Sequence, residues 1–213
     1  MKTADLFDTP REEHIAEGAM LLRGFAAEQA EELLRAVEEI CRASPFRHMQ
    51  TPGGFRMSVA MTNSGSVGWV SDARGYRYDR LDPETGRPWP ALPASFTQVA
   101  SRAAARVGFD RFIPDAALIN RYTPGTRLSL HQDRNERDFT QPIVSVSLGV
   151  PAVFLFGGFK RNERPRRYRL EHGDVVVWGG PSRLAFHGVA PLADAFHPLT
   201  GNCRINLTLR KAL

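Results

Sequence analysis

A histidine and an aspartate two positions apart, His131 and Asp133, are the residues with the clearest chemical potential. In an extended chain, residues i and i+2 point to the same side, so this imidazole and this carboxylate can share one ion. A third ligand must come from another segment. Among the other histidines, His187 is best placed because it ends a predicted strand, whereas His172 and His197 lie in predicted turns.

Two histidines and one carboxylate on one side of a metal leave three coordination positions open. This arrangement is typical of non-haem Fe(II) oxygenases. Zinc accepts the same ligands, so a hydrolytic zinc site is the competing interpretation. A histidine and an aspartate at this spacing also occur without any metal, so other residues must decide between the readings.

The last predicted strand places Arg204, Asn206 and Arg210 on its polar face. Two arginines about 20 Å apart on one face are spaced to bracket a small dianion if their side chains reach inward. Another predicted strand places Asn120 and Tyr122 on one face as hydrogen-bonding groups. Together these residues predict a pocket for a dicarboxylate beside the metal.

Periodicity predicts packing helices at residues 27–43 and 95–107, followed by a series of short strands. The predicted strands cover residues 116–122, 127–131, 143–148, 152–156, 168–171, 175–178, 184–187 and 203–210. Closely spaced strands without intervening helices favour an antiparallel sandwich or barrel of the jelly-roll kind. We predict a single domain over residues 1–213, with an N-terminal helical segment at 1–43 and the body after it.

The charge distribution is uneven along the chain. Residues 1–43 hold 5 basic and 10 acidic side chains, whereas the remainder holds 23 basic and 13 acidic, and most of the basic residues are arginine. Such a body attracts polyanions, with nucleic acid as the first option. No apolar run reaches the roughly 18 residues of a membrane span, and two cysteines favour a reducing compartment. We therefore expect a cytoplasmic monomer that does not contact membranes.

Several longer motifs resemble the AlkB family of Fe(II)- and 2-oxoglutarate-dependent dioxygenases, and the similarity runs from residue 18 to residue 210. The motifs are PGG at 52–54, MSVAMTN at 57–63, INRY at 119–122, LSLHQD at 128–133, EHGDVVVWGG at 171–180 and RINLTLR at 204–210. Ordered matches of this length are far more specific than the metal-ligand spacing alone.

The resemblance implies a mainly β (α+β) fold, with a double-stranded β-helix core at residues 93–213 and a nucleotide-recognition lid at 44–92. It implies that Fe(II) is held by His131, Asp133 and His187, and that O₂ is the co-substrate. The implied 2-oxoglutarate ligands are Asn120, Tyr122, Arg204, Asn206 and Arg210. The implied contacts to nucleic acid are Trp69, Tyr76, Arg77, Tyr78, Asn135 and Arg161.

The activity implied is oxidative demethylation of N-alkylated bases, of the N1-methyladenine and N3-methylcytosine type. The partner is single- or double-stranded DNA, with RNA as a further option, and the products are formaldehyde, succinate and CO₂. One departure is Asn135, where the family resemblance leads us to expect an acid. An amide there still accepts a hydrogen bond but does not attract a cationic base, so we expect altered base preference.

Two other functions are compatible with these residues. One is a 2-oxoglutarate dioxygenase that hydroxylates a small molecule or a protein. The other is a non-catalytic nucleic-acid-binding module. The aromatic and cationic residues Trp69, Tyr76 and Arg161 argue against the first, and the complete set of metal-binding residues argues against the second.

Overall fold

A computed structural model of the protein describes residues 11–213. It contains two α-helices, α1 (Ala30–Ala43) and α2 (Ala94–Arg106), with a 3-10 turn at Ala27–Gln29 before the first. The strands are β1 (Glu12–Ala16), β2 (Ala19–Leu22), β3 (Ala60–Gly65), β4 (Gly68–Asp72), β5 (Gly75–Asp79), β6 (Ala116–Tyr122), β7 (Leu128–His131), β8 (Ile143–Gly149), β9 (Ala152–Phe156), β10 (Arg166–Leu170), β11 (Val175–Trp178), β12 (His187–Val189) and β13 (Arg204–Arg210).

The strands form two main antiparallel sheets. A seven-stranded major sheet has the order β1-β2-β11-β8-β13-β6-β3, and a four-stranded minor sheet has the order β10-β9-β12-β7. The predicted mainly β fold with flanking helices and a jelly-roll core is therefore confirmed. Neither helix among residues 11–213 is long and apolar enough to span a bilayer.

Strand β13 shows why the two faces of the major sheet differ. Its alternating residues Ile205, Leu207 and Leu209 join the apolar cluster that also contains residues of both helices. The intervening polar residues line a cavity on the opposite face. Because side chains alternate along a strand, one strand contributes both to the core and to the cavity.

The predicted strand at residues 184–187 is wrong in its position. A 3-10 turn occupies Gly180–Ser182, and the Ala185 N–H donates to the Ser182 carbonyl at 3.0 Å. The chain joins the minor sheet only at β12, which begins at His187 instead of ending there. The apolar residues before His187 resemble a strand in sequence, because a local pattern does not show where the hydrogen-bonded pairing of two strands begins.

Residues 44–92 contribute both to the major sheet and to a separate hairpin. Strand β3 pairs with β6 at the edge of the major sheet, whereas β4 and β5 form a separate two-stranded hairpin. The Asn63 side chain anchors this β4–β5 hairpin by bonding both the N–H and the carbonyl of Trp69 at 3.0 Å. The hairpin is thereby tied to the sheet that lines the cavity.

Candidate active site

Three of the predicted site residues, His131, Asp133 and His187, converge in the cavity between the two sheets. Their potential ligand atoms all lie within 4.8 Å of one another. The Nε2 atoms of His131 and His187 lie 3.6 and 3.7 Å from the two carboxylate oxygens of Asp133. The spacing and the donor set fit a divalent transition metal.

The backbone holds both imidazoles in the tautomer that a metal needs. Nδ1 of His131 lies 2.8 Å from the Ser129 carbonyl, and Nδ1 of His187 lies 3.0 Å from the Ala185 carbonyl. A carbonyl only accepts, so each Nδ1 carries the proton and each Nε2 presents its lone pair. Burial, together with the nearby His131 ring, lowers the pKa of His187 to about 3, which keeps this imidazole neutral.

Asp133 is held by Arg210. The guanidinium donates to Oδ2 of Asp133 from Nη2 at 2.6 Å and from Nε at 3.0 Å. Burial alone would raise the pKa of Asp133, but Arg210 and the two histidines keep that pKa well below its usual range. The carboxylate is therefore ionised and fixed in orientation. Arg210 was predicted to contact 2-oxoglutarate; in the structure it pairs with Asp133 and also lines the cavity.

Arg204 is the buried cation without an acidic partner among residues 11–213. It is 1% exposed, donates to Ser147 Oγ at 2.9 Å and lies over the Tyr122 ring at 5.0 Å. Its Nε and Nη1 atoms have no hydrogen-bond partner within that range. Buried donors are normally satisfied, so two free N–H groups on a cation fit a carboxylate ligand.

The other predicted 2-oxoglutarate residues surround Arg204. Asn120 and Asn206 are direct partners in the β6–β13 pairing, and the Asn120 amide donates to Asn206 Oδ1 at 3.3 Å. Tyr122 lies opposite Arg204 in the same pairing. Asn120, Tyr122, Arg204 and Asn206 all line the cavity that contains the histidines. A dicarboxylate that reached from Arg204 toward Asp133 would thus lie along one face of β13.

The cavity measures about 940 Å³, and aromatic side chains from the β4–β5 hairpin form part of its wall. The Trp69 and Tyr76 rings stack with centroids 5.7 Å apart and planes 14° apart. Asn135 accepts from Trp69 Nε1 at 3.1 Å and donates to the Tyr76 carbonyl at 3.3 Å. Asn135 therefore positions the stacked rings as well as facing the cavity.

The predicted nucleic-acid contacts separate into two groups. Trp69, Tyr76, Asn135 and Arg161 line the cavity, whereas Arg77 and Tyr78 do not. The Arg77 guanidinium pairs with Asp72 at 2.9 and 3.0 Å within the hairpin. The Tyr78 hydroxyl points inward, and burial raises its pKa well above the usual value, so it remains a donor.

Two buried residues beside the site, Glu136 and Arg183, were missing from the predicted set. They form an ion pair at 3.0 Å and are 6% and 3% exposed. Arg183 also donates to the backbone carbonyl of Asp133 at 3.0 Å. Charged residues are rarely buried. The sequence around Glu136 and Arg183 has no pattern that distinguishes these two from charged residues on the surface.

Comparison with known proteins agrees with this geometry. Residues 18–210 match the model of the 2OG-Fe(II) oxygenase superfamily. The alpha-ketoglutarate-dependent dioxygenase AlkB of Escherichia coli is 57% identical over 203 residues, which cover 95% of this chain and 94% of that protein. The AlkB homolog of Caulobacter vibrioides is 47% identical and covers 84% of this chain and 80% of its own length.

More distant proteins share the fold or part of the sequence. The solved structure described as OsALKBH1 has a TM-score of 0.79 at 28% identity and covers 94% of this chain and 99% of its own. The tRNA demethylase abh1 of Schizosaccharomyces pombe is 44% identical over 140 residues, which are 63% of this chain and 46% of that protein. The chain belongs to the AlkB family of the 2OG-Fe(II) oxygenase superfamily, and its cofactors are Fe(II), 2-oxoglutarate and O₂.

Proposed function

We propose that this protein is an oxidative demethylase that repairs N-alkylated bases in DNA, of the N1-methyladenine and N3-methylcytosine type, and that also accepts RNA. The observation that carries the proposal is the content of one cavity: the His131, Asp133 and His187 cluster, Arg204 with two donors that lack a partner among residues 11–213, and the stacked Trp69 and Tyr76. A metal, a keto acid and a planar base each have matching groups there.

In this proposal His131, Asp133 and His187 hold the iron. Arg204, with Tyr122, Asn120 and Asn206, holds 2-oxoglutarate by its distal carboxylate. When bound, Fe(II) with O₂ and 2-oxoglutarate would supply the oxidation of the N-methyl group to a hydroxymethyl group, which would leave as formaldehyde, with succinate and CO₂ as the products of 2-oxoglutarate. The chain itself supplies binding, orientation and exclusion of water.

The substrate base must leave its stack to reach the ligands. Extrusion from a duplex costs a few kcal/mol, and less when the lesion already prevents pairing. Trp69 and Tyr76 offer flat apolar surface to an extruded base, and base–aromatic stacking contributes about 1–3 kcal/mol. Arg161, in the exposed loop before β10, is placed to contact a phosphate. This combination suits a nucleic acid better than a small soluble molecule.

The activity is tested with Fe(II)-loaded protein, 2-oxoglutarate and an oligonucleotide that carries a single N3-methylcytosine. We expect restored cytosine together with equal amounts of formaldehyde and succinate. Asp133→Ala should abolish turnover while leaving oligonucleotide affinity nearly unchanged, since the surface that binds nucleic acid does not depend on the metal. Asp138→Asn, which changes a partly exposed carboxylate outside the cavity lining, is the matched control.

The other outcomes separate the alternatives. Succinate formation without base repair, on DNA and RNA oligonucleotides alike, would indicate a dioxygenase for a small molecule or a protein. Oligonucleotide binding without succinate would indicate a non-catalytic module.

We also propose that the enzyme acts as a monomer in the cytoplasm without a membrane partner, because each residue assigned above comes from one chain. The measurement is the activity per chain across a dilution series of the protein. A loss of this activity on dilution, as a second chain dissociates, would contradict the monomer proposal.

A further inference from the structure

A short segment, residues 133–136, joins the metal cluster to the β4–β5 hairpin. Asp133 points into the cluster, and Asn135 contacts Trp69 of the hairpin. The next residue, Glu136, accepts a hydrogen bond of 2.6 Å from the Tyr78 hydroxyl, also in the hairpin. Asp133 and Glu136 are three residues apart. The first therefore lies in the metal cluster, and the second contacts the hairpin that forms part of the cavity wall.

Glu136 is a buried carboxylate with cations on two sides. Its Oε2 pairs with Arg183 Nη2 at 3.0 Å, and its Oε1 lies 3.4 Å from Arg210 Nε. All three side chains are 6% exposed or less. Ion pairs this deep are costly to break, because the group that remains is left buried without a partner. The carboxylate is therefore firmly held between the two arginines.

Both arginines that contact Glu136 also contact Asp133. Arg210 donates twice to the Asp133 carboxylate, and Arg183 donates to the Asp133 backbone carbonyl. A continuous path of contacts thus runs from the Tyr78 hydroxyl through Glu136 and Arg210 to the carboxylate of Asp133. Arg210 and Asp133 line the cavity, whereas Tyr78 and Glu136 do not, so the path leads from the hairpin into the cavity wall.

We propose that Glu136 is a positioning residue that couples the β4–β5 hairpin to the metal ligand Asp133, with Tyr78 as its contact on the hairpin side. This inference rests on the assignment of Asp133 as a metal ligand. It gives Tyr78 a role distinct from a direct contact with nucleic acid. The residues around a metal's own ligands orient those ligands and tune their basicity, and their loss weakens binding.

The direction of the effect follows from charge. Without the Glu136 charge, Arg210 is neutralised by Asp133 alone and withdraws more electron density from that ligand. The site also loses one negative charge that attracts a cation. Glu136→Gln should therefore weaken metal binding. Tyr78→Phe removes only the hydroxyl that fixes Glu136 Oε1, so a smaller effect in the same direction is expected.

The test is a titration of the full-length protein with Co(II), followed by the visible absorption bands of the bound ion, in the absence of nucleic acid. We expect the dissociation constant to rise about tenfold in Glu136→Gln and about threefold in Tyr78→Phe, with altered band positions in both. Ser71→Ala is the matched control, because it removes a hydroxyl of the same hairpin that donates to the Gln50 carbonyl and lies outside this path and the cavity lining. Its Co(II) affinity and bands should equal those of the wild type.

Each result has one meaning. Wild-type affinity and bands in folded Tyr78→Phe would overturn the coupling, even if Glu136→Gln failed to fold. Equal changes in Ser71→Ala and Tyr78→Phe would also overturn it, since the effect would then belong to the hairpin in general. Failure of the wild-type protein to bind Co(II) would instead refute the metal assignment in the proposed function.

Discussion

His131 and His187 lie directly opposite each other in the antiparallel pairing of β7 and β12. Their ring centroids are 4.4 Å apart, and each Nδ1 faces the backbone carbonyl two residues before it. The strand register therefore sets the distance between the two imidazoles. A slip of one residue would turn one histidine to the other face of the sheet and remove it from the site.

Two donors of Arg204, Nε and Nη1, have no partner in the described part of the chain, and they lead to a prediction about stability and binding together. Arg204→Met should weaken 2-oxoglutarate binding about 100-fold, because a charge-assisted pair of hydrogen bonds is lost. The same change should raise the free energy of unfolding of the ligand-free protein by about 1 kcal/mol, since a buried cation with free donors is replaced by an apolar side chain. Calorimetric titration and urea unfolding measure the two effects.

A matched control is Arg121→Met, which alters an exposed arginine on β6. It should leave 2-oxoglutarate affinity unchanged. An Arg204→Met protein that binds 2-oxoglutarate as tightly as the wild type would show that Arg204 does not hold the dicarboxylate.

Asn135 leads to a prediction about base selectivity. In Asn135→Asp the acceptor for Trp69 Nε1 is retained, the hydrogen bond donated to the Tyr76 carbonyl is lost, and a negative charge is added at the cavity wall. We expect the ratio of repair rates for a cationic over a neutral methylated base to rise about tenfold, which corresponds to a modest Coulombic attraction across a partly solvated gap. Competition between the two lesions in one reaction measures this ratio. An unchanged ratio would mean that residue 135 acts only through Trp69 and Tyr76.

We predict that Asp82, which lies outside the site, makes the stability of the fold depend on pH in the acidic range. Burial raises the pKa of Asp82, but Arg47 and Ser44 outweigh burial and lower that pKa to about 2. A carboxyl whose pKa is depressed in the folded state stabilises the fold above its unfolded pKa, and that contribution is lost as the pH falls through the folded value. Its contribution should therefore decline between about pH 5 and about pH 2, by about 2 kcal/mol in all.

Unfolding in urea across this pH range provides the measurement. The difference in stability between the wild type and Asp82→Asn should shrink as the pH falls. Asp110→Asn, in an exposed turn after α2, should show no such convergence with the wild type. A difference in stability that stays constant across this pH range would contradict a lowered pKa of Asp82 in the folded protein.

Much of the site was predictable because it lies on strands. Alternation along β13 and β6 correctly placed Arg204, Asn206, Asn120 and Tyr122 on one face, since a strand has a single geometry for neighbouring side chains. The separation of two arginines along β13 was also visible in the sequence. Their different partners were not, because Arg210 meets Asp133 from a distant loop. Contacts of that kind depend on the packing of the sheets.

The buried polar contacts around Asp133 were the least predictable part. Glu136 and Arg183 are 47 positions apart and form a buried pair only because the two loops that contain them meet. Similarly, Tyr78 belongs to an aromatic and cationic run that is typical of a nucleic-acid surface, yet its hydroxyl faces Glu136. Composition shows which residues are present in a segment but not which way each one points.

The central claim, that His131, Asp133 and His187 hold Fe(II), is tested most directly by X-ray absorption spectroscopy of the Fe(II)-loaded protein. The wild type should show scattering from two imidazoles, and His187→Ala should show one, with weaker iron binding. His172→Ala, which removes a histidine outside the cavity lining, should match the wild type. An iron spectrum that is the same in His187→Ala as in the wild type would contradict the account.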